Sequence, residues 1–337
     1  MIGSVAKLMR WQDWGHSKMP PFFAAGFLFL LASGGSAAQG LIRFIAWIVF
    51  CAVFLAFGYG INDFADREAD RRAGKPNAMD KSRSAAAVAW LFSLLSVGLA
   101  VIVPFLSGMW DWLAVASSYC LAIAYSLPPL RLKERGLAGL LACALAQRSL
   151  PLLVGAVLFG QLDLNVWLLF VLFTLIGLRW ILLHQVVDLA QDERSRVRTF
   201  VRASGSDRAL FLLSRGVFPL ELAVLAAWLV SAARDLPMLW LVMLVYLGYL
   251  RALGYLWRRT WPPFHWSQYW LHPLADFYEI VWPLFLGIVL VVSNPAFSPL
   301  LFLLILWQSP RAVRQFAFYR CLRRRLRGLF PFEAHQP

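Results

Sequence analysis

Charged residues are scarce in this chain of 337 residues, of which they make up 15%, whereas 60% of the residues are hydrophobic. Acidic residues are rarer than basic ones, since 18 Asp and Glu stand against 32 Lys and Arg and leave a net charge of +14. Repeated apolar runs with so few charges exclude a soluble globular protein, because runs of this length suit the roughly 30 Å core of a bilayer. We therefore predict an integral membrane protein.

Cysteine is equally scarce, and the four residues Cys51, Cys120, Cys143 and Cys321 form no close pair. Their spacing excludes both a zinc site and a disulfide framework. The first 20 residues lack the apolar core of a signal peptide, so we expect residues 1–20 to be retained as a short cytoplasmic segment.

The basic residues collect in the short gaps between apolar runs, as the positive-inside rule requires of a membrane protein. No nucleic-acid partner is needed to explain them, and none is expected. A ten-span arrangement gathers nearly all of them on one side and leaves only Arg43 and Arg234 opposite. We expect the bacterial inner (plasma) membrane, with both termini and the acidic loops in the cytoplasm and membrane lipids around the bundle.

The apolar runs predict an all-α, polytopic transmembrane bundle with nine core helices and a tenth span. The predicted spans are 21–38, 41–62, 85–107, 112–127, 138–160, 165–187, 209–231, 236–256, 276–293 and 296–309. Asn294 and Pro295 mark either a tight turn between the last two spans or a kink in one helix. Residues 21–309 then form one transmembrane domain, and residues 310–337 form a basic cytoplasmic tail.

Span two ends in GYGINDFADREADRR, residues 58–72. At about 100° per residue, Asp63, Asp66 and Asp70 fall on one narrow stripe if the helix continues through them. Carboxylates so close repel one another unless cations hold them, and hard oxygen ligands suit Mg²⁺ shared with substrate phosphates. The alternative is a solvated helix end with ordinary surface charges.

Span six ends in LLHQVVDLAQDERSRVRTF, residues 182–200, where His184, Asp188 and Asp192 recur at four-residue intervals. Both acidic segments end even-numbered spans and so open on the same side. Together they suit two or more Mg²⁺ ions around a diphosphate, which the ions would turn into a leaving group.

A third segment, YSLPPLRLKERG, residues 125–136, joins spans four and five. Two prolines stop the helix, and Arg131 and Lys133 follow. They are interpreted either as phosphate ligands or as positive-inside anchors.

These motifs resemble the UbiA superfamily of intramembrane prenyltransferases over roughly residues 20–290. The family pattern N-D-x-x-D-x-x-x-D is met by Asn62 and the three aspartates of the first stripe, and YSLPPLRLK matches its tyrosine, proline and basic segment. KPNAMDKS, residues 75–82, resembles a degenerate form of the sequence that usually follows the first motif. In the second motif Gln185 replaces a carboxylate and Arg196 a glycine, whereas Asp188, Asp192 and Thr199 fit.

The resemblance implies Mg²⁺-dependent transfer of an isoprenoid chain from a polyprenyl diphosphate to a lipophilic, aromatic acceptor. It implies that the metal-binding and catalytic residues are Asp63, Asp66, Asp70, Asp188 and Asp192. The implied substrate-binding residues are Asn62, Tyr59, Tyr125, Arg131, Lys133, Arg148, Gln185 and His184. Tyr59 and Tyr125 are the π faces expected near a carbocation, while Trp11 and Trp14 are expected at the lipid interface.

Some polar residues allow two interpretations. Arg148, within span five, either binds a carboxylate or phosphate of the acceptor or pairs with Glu221. His184 is either a packed or hydrogen-bonded residue or a catalytic base. The alternatives to a prenyltransferase are a phosphoribosyl or other polyprenyl-lipid transferase of the same superfamily, and a non-catalytic transporter or lipid-binding bundle.

Overall fold

The computed structural model describes residues 6–80, 82–195, 197–260 and 274–309. Within these ranges the regular elements are all helices, which confirms the predicted all-α class. The basic tail of residues 310–337 lies outside the described residues, so its predicted role stays a prediction.

A helix lies at each of the ten predicted spans in the described part of the chain. The bounds are α1 Met19–Ala32, α2 Ala37–Ala73, α3 Ser84–Phe105, α4 Met109–Ser126, α5 Leu137–Leu158, α6 Leu164–Val187, α7 Ser206–Ala232, α8 Met238–Thr260, α9 Phe277–Ser293 and α10 Pro295–Ser309. By length and composition α2, α3, α5, α6 and α7 are able to cross a membrane, and the others are shorter or less apolar. The number of crossings therefore stays a prediction.

Helix α2 is 37 residues long and continues well past the predicted end of span two. It begins after Ser36, whose hydroxyl accepts a hydrogen bond from the backbone N–H of Gln39 at 3.3 Å. It ends at Gly74, whose φ of 65° is the left-handed conformation that glycine adopts at low cost. The acidic stripe is thus built on a continuous helix, as its spacing predicts.

Three helices of the described ranges contain a π-helical turn, and a proline follows each turn after one residue. The turns are Leu145–Ser149 in α5, Leu213–Val217 in α7 and Phe277–Val281 in α9. The prolines are Pro151, Pro219 and Pro283. A proline inside a helix lacks the N–H and clashes with the preceding turn, and a widened turn upstream relieves both defects. These turns place polar side chains at membrane depth.

Aromatic rings fill the space between α1, α2 and α5. Phe44 and Trp47 are fully buried, and Trp47 donates a hydrogen bond from Nε1 to the Pro151 carbonyl at 2.9 Å. Glycine lets the helices approach here, because a Cβ on Gly26 or Gly155 would lie 2.4 Å from one of these rings. The packing fixes α5 against α2, and both helices carry site residues.

Helices α9 and α10 are separated by a turn and not by a kink. Asn294 is extended, with φ −152° and ψ 103°, and its Oδ1 accepts from the N–H of Ala296 at 3.1 Å. Helix α10 then folds back along α9, since a Cβ on Gly287 would lie 2.9 Å from Leu301. Its far end reaches the N-terminal segment, where Trp307 Nε1 donates to the Gly15 carbonyl at 2.7 Å.

Candidate active site

The first acidic stripe is buried along one side of α2. Asp63, Asp66 and Asp70 are 2%, 9% and 7% exposed. Ordinary surface carboxylates would be hydrated, so this burial argues against a solvated helix end. Each carboxylate has a basic or amide partner close by, and the three partners come from different segments of the chain.

The segment after α2 folds back onto the stripe. Asn77 Nδ2 lies 2.8 Å from both the Asp70 carboxylate and the Asp63 carbonyl. The N–H of Ala78 also lies 3.4 Å from the Asp63 carboxylate. Sequence reasoning noticed this segment only as a motif continuation and missed Asn77, which fixes the two ends of the stripe relative to each other.

The basic loop between α4 and α5 holds the middle of the stripe. Lys133 Nζ lies 2.5 Å from Asp66 Oδ2 and 3.0 Å from Asn62 Oδ1, and Arg131 Nη2 lies 3.0 Å from Asp66 Oδ1. Lys133 is only 6% exposed, so it does not act as a surface anchor. Burial lowers the pKa of Lys133, and Asp66 opposes that shift.

Arg131 adopts a left-handed backbone with φ 39° and ψ 54°. This backbone conformation costs free energy for a residue other than glycine, and it persists where contacts of the side chain compensate for the cost. Here the guanidinium contacts Asp66 and also Glu134, at 2.6 Å. Neither interpretation of the basic loop anticipated these ion pairs.

The second acidic segment lies against the end of α2. Asp188 follows α6 directly, and the short helix Leu189–Ser195 packs on α2. Asp188 Oδ2 lies 3.5 Å from His184 Nε2 and 3.9 Å from the Nζ of Lys75, which comes just after α2. The structure thus brings the two acidic segments together, with Lys75 between them.

Asp192, in the same short helix, is 7% exposed and hydrogen-bonded to Thr199. Burial raises the pKa of Asp192, whereas the Thr199 hydrogen bond and Lys75 lower it. His184 is not packed, because its side chain is 67% exposed and faces the cavity described below.

Gln185 does not join these groups. It is 6% exposed, and its Oε1 accepts a hydrogen bond from the backbone N–H of Val201 at 3.2 Å. The residue at the position of the missing carboxylate thus anchors the segment after the second motif. The expected contact between Gln185 and a phosphate is not favoured by this placement.

The N-terminal segment packs into the site, which sequence reasoning missed. Arg10 Nη1 lies 2.7 Å from Asp63 Oδ1, and Lys18 Nζ lies 2.6 Å from the Tyr59 hydroxyl. Both cations also lie over the Tyr59 ring, 5.2 and 4.6 Å from its centre. Trp14 is fully buried, so the expectation that it faces lipid is wrong. The error arose because the α10 residue that contacts this segment, Trp307, is 292 residues from its partner Gly15 in sequence.

A cavity of about 350 Å³ runs inward from the two acidic segments. Its lining includes the predicted residues Tyr59, Asn62, Tyr125, Arg148, His184 and Asp188, together with Arg10, Lys18, Lys75 and Gln147. Phe54 and Leu55 of α2 line it further in. The cavity therefore joins a charged mouth to an apolar and aromatic interior.

Arg148 lies in the π turn of α5 and is 2% exposed. Its predicted alternative partner, Glu221, is bound by Arg179 instead, at 2.7 and 3.0 Å. Both side chains of that pair are completely buried. The interpretation of Arg148 as the partner of Glu221 is therefore wrong.

The carboxylates fit Mg²⁺ that is shared with a phosphorylated substrate. In the described ranges no three His, Cys, Asp or Glu side chains are close enough to hold one ion. Mg²⁺ commonly takes one or two carboxylates and completes its shell with phosphate oxygens and water. Five separate carboxylates on two segments that pack together provide that donor set, and one of them, Asp188, lines the cavity itself.

Comparison with known proteins identifies the family of this chain. The family model described as the UbiA prenyltransferase family matches residues 19–272, three quarters of its length. The chain belongs to the UbiA prenyltransferase family. It is therefore an integral membrane prenyltransferase, as the motifs indicated.

Several curated relatives of the family are similar to it. Homogentisate phytyltransferase of Synechocystis is 28% identical over 280 residues, which cover 78% of this chain and 86% of the relative. Lycopene elongase/hydratase of Corynebacterium glutamicum is 27% identical over 251 residues, covering 68% and 83%. Chlorophyll synthase of Arabidopsis thaliana is 28% identical over 194 residues, covering 55% and 49%.

A solved structure shares the fold. A UbiA homologue from Archaeoglobus fulgidus, bound to GPP and Mg²⁺, superposes with a TM-score of 0.62 over 86% of this chain and 99% of its own. Its sequence is 18% identical, so the likeness concerns the fold of the UbiA family.

Proposed function

We propose that this UbiA-family protein transfers an isoprenoid chain from a polyprenyl diphosphate to a lipophilic, aromatic acceptor inside the membrane, and that it depends on Mg²⁺. One observation carries the proposal. Two acidic segments that are distant in sequence pack together beside one cavity, which Asn62 of the first and Asp188 of the second line, and Lys75 contacts Asp188 between them. A diphosphate at the mouth would leave its hydrocarbon chain in the apolar interior.

The carboxylates that would hold Mg²⁺ are Asp63, Asp66, Asp70, Asp188 and Asp192. When bound, Mg²⁺ neutralises the diphosphate and makes it a better leaving group. The basic groups that now neutralise the stripe lie within reach of the same diphosphate. The planar guanidinium groups of Arg10 and Arg131 are able to donate paired hydrogen bonds to its oxygens, and the Lys133 ammonium adds a positive charge.

Transfer begins when the allylic C–O bond breaks and its electron pair leaves with the diphosphate. A nucleophilic carbon or oxygen of the acceptor then bonds to the allylic carbon and gives up its proton to the diphosphate or to water. The Tyr59 ring lies at the mouth, and its face already contacts two cations. Such a face stabilises a developing carbocation, and Tyr125 lines the same cavity.

We also propose that the site faces the cytoplasm of a bacterium, across the inner membrane. The bias of Lys and Arg in the sequence supports this orientation. The return of α10 to the N-terminal segment supports an even number of crossings, with both ends of the bundle on the side of the acidic segments.

The test compares Asp66→Asn with Glu68→Gln in purified protein. Glu68 lies on the same helix, but its side chain is 71% exposed and pairs only with Arg71 among the described residues. Both variants are given Mg²⁺, labelled prenyl diphosphates of several lengths and a lipid extract containing acceptors. We expect Mg²⁺-dependent product from the wild type and from Glu68→Gln, and none from folded Asp66→Asn.

Failure of the folded wild type to consume any donor would refute the transferase. Binding of a prenyl diphosphate without consumption would favour the non-catalytic lipid-binding or transporting bundle. Consumption that needs a phosphorylated sugar would favour the phosphoribosyl-type transferase.

A further inference from the structure

A second cavity lies at the end of the bundle opposite the acidic segments. Its volume is about 520 Å³, larger than that of the first cavity. It is enclosed by the end of α1, the start of α6 and the ends of α7 and α9. Asp163 lines it just before α6, whereas Asp188 follows the other end of that helix, which is 24 residues or about 36 Å long. Cavities of this size commonly bind small molecules.

A layer of fully buried aromatic rings separates the two cavities. The rings belong to Phe22, Trp47, Phe173 and Trp282. Neighbouring ring centres in this layer lie 5.9 to 6.4 Å apart. On α6, Phe173 lies between Leu169, which lines the second cavity, and Gly177, which lines the first. In the part of the chain that the structure describes, the two linings share no residue. The second cavity is therefore not an extension of the first.

Polar and apolar residues occupy different parts of the second cavity. The polar residues at or beyond the helix ends are Gln161, Asp163, Asp235 and Ser293. The apolar residues within the helices include Leu28, Phe29 and Leu169. Trp228 lies between the two groups, because it is four residues, or about 6 Å, before the end of α7. This division suits a ligand with a polar head and a hydrocarbon part.

Two residues of this lining have polar atoms without a hydrogen-bond partner. Trp228 is 1% exposed and its Nε1 is unpaired, and the Oδ1 of Asn165 is also buried and unpaired. A buried polar group without a partner costs free energy, so most such groups in proteins are paired. A ligand that accepts from Trp228 and donates to Asn165 would pair both atoms.

The charge of the cavity is negative. Asp163 and Asp235 are the charged residues of its lining within the described ranges. Neither forms an ion pair with another described residue. Asp163 Oδ1 accepts a hydrogen bond from the N–H of Val166 at 3.0 Å, which leaves its second oxygen for a ligand. Two carboxylates favour a cationic group at this end of the cavity.

We propose that the second cavity binds a phospholipid whose head group carries a primary ammonium, as in phosphatidylethanolamine. The ammonium has three N–H donors, which reach Asp163, Asp235 and Asn165. A phosphate or ester oxygen of the same lipid accepts from Trp228. The acyl chains begin along Leu28, Phe29 and Leu169. A choline head group has no N–H to donate, and a glycerol head group has no positive charge, so both bind less well.

The test uses delipidated full-length protein in detergent. Phospholipids with the same acyl chains and an ethanolamine, choline or glycerol head group are titrated separately, and Kd is obtained from the rise in Tm. We expect Kd to be about tenfold lower for the ethanolamine lipid than for the others, the effect of one charged hydrogen bond. No Mg²⁺, donor or acceptor is present, so the result is independent of the transferase.

Two pairs of variants locate the site. Trp228→Phe keeps a ring and removes the N–H, and its control Trp282→Phe removes an equally buried, unpaired Nε1 that does not line the cavity. Asp235→Asn removes a charge, and its control Asp207→Asn makes the same change at an exposed position at the start of α7. We expect Trp228→Phe to raise Kd for the ethanolamine lipid about tenfold. Asp235→Asn should abolish the preference for ethanolamine, and both controls should keep it.

Three results would overturn the proposal. Equal Kd values for the three lipids in the wild type would show unselective lipid around the bundle. Tightest binding of the glycerol lipid would exclude an ammonium site. An ethanolamine preference that persists in both Trp228→Phe and Asp235→Asn would place the lipid elsewhere.

Mass spectrometry of the intact wild type provides a measurement that does not depend on the folding of a variant. The protein is released from micelles that contain the three lipids in equal amounts. We expect one bound ethanolamine lipid per chain. Bound lipids in the proportions supplied would contradict the proposal.

Discussion

Arg179 and Glu221 form a bidentate ion pair at 2.7 and 3.0 Å, and neither side chain is exposed. The pair joins α6 to α7 and removes the acidic residue that Arg148 might otherwise contact. Removing one partner leaves a buried charge without compensation, which costs about 3–5 kcal/mol. We expect Arg179→Met or Glu221→Leu alone to lower the Tm of the detergent-solubilised protein sharply.

The double variant Arg179→Met/Glu221→Leu distinguishes the loss of a pair from the burial of a lone charge. Because an apolar pair often replaces a buried ion pair at little cost, we expect its Tm to exceed that of either single variant. A double variant less stable than both would contradict this account.

Asn77 connects the ends of the acidic stripe without being charged itself. In Asn77→Ala the carboxylates remain but their relative placement is lost, and such supporting contacts are typically worth about tenfold to a hundredfold in metal affinity. We expect the Mg²⁺ concentration for half-maximal activity to rise by that factor. The control is Ser84→Ala, which removes only a hydrogen bond from Arg67 at 2.9 Å. An unchanged Mg²⁺ titration would show that Asn77 has no part in placing the carboxylates.

Lys18 makes the charge of the cavity depend on pH. Burial lowers the pKa of Lys18 to about 7, so its charge is lost as pH rises from 6 to 8. The groups that face it are Arg10 and Asp13 on its own segment, Tyr59 on α2, Cys143 and Arg148 on α5, and His184 on α6. For an anionic substrate that reaches Lys18 we expect kcat/KM, which reports the free enzyme, to fall across this range.

Lys18→Arg tests the assignment, because a guanidinium stays charged throughout and should flatten that part of the profile. A profile that Lys18→Arg does not alter would assign the ionisation to another group. The lowered pKa also penalises the protonated lysine in the folded state. Its effect on the free energy of unfolding is constant below about 7 and is relieved as pH rises toward the ordinary value of 10.5.

Gly177 allows α6 to approach α5 beside the cavity. A Cβ there would lie 2.8 Å from the Ala144 Cα, which is backbone and cannot turn aside. We expect Gly177→Ala to cost about 1–3 kcal/mol and to weaken acceptor binding, because the helices must separate next to Arg148. Gly248→Ala in α8 is the control, since no atom lies within 4 Å of its new Cβ. Its Tm should stay equal or rise, and a similar loss in both variants would contradict the packing argument.

The sequence was sufficient for features that depend on local spacing. Apolar runs located a helix at each predicted span, and the three- and four-residue spacing of the aspartates placed them on one continuous helix. The sequence predicted the basic loop but not its contacts with Asp66. The ion pairs of Arg131 and Lys133 with Asp66 form only because α4 and α5 approach α2 in the folded protein.

Contacts between distant segments could not be read from any pattern. Arg10 and Asp63 are 53 residues apart, and Lys18 and Gln147 are 129 apart. Both basic residues looked like ordinary topology signals in a short N-terminal segment. The π turns had a visible signal, the prolines at positions 151, 219 and 283 inside long apolar runs, but proline alone does not tell a widened turn from a kink.

The π turn of α5 also determines which neighbours each half of that helix touches. One additional residue in a turn swivels everything after it by about 100° relative to an uninterrupted helix. Leu137–Ala144 accordingly packs mainly on α6, whereas Leu150–Leu158 packs mainly on α4. The two halves of α5 therefore pack on different helices, and Arg148 lies in the turn between them. Deleting one residue from Leu145–Ser149 would rotate Leu150–Leu158 away from α4, although the sequence of both halves of the helix would be unchanged.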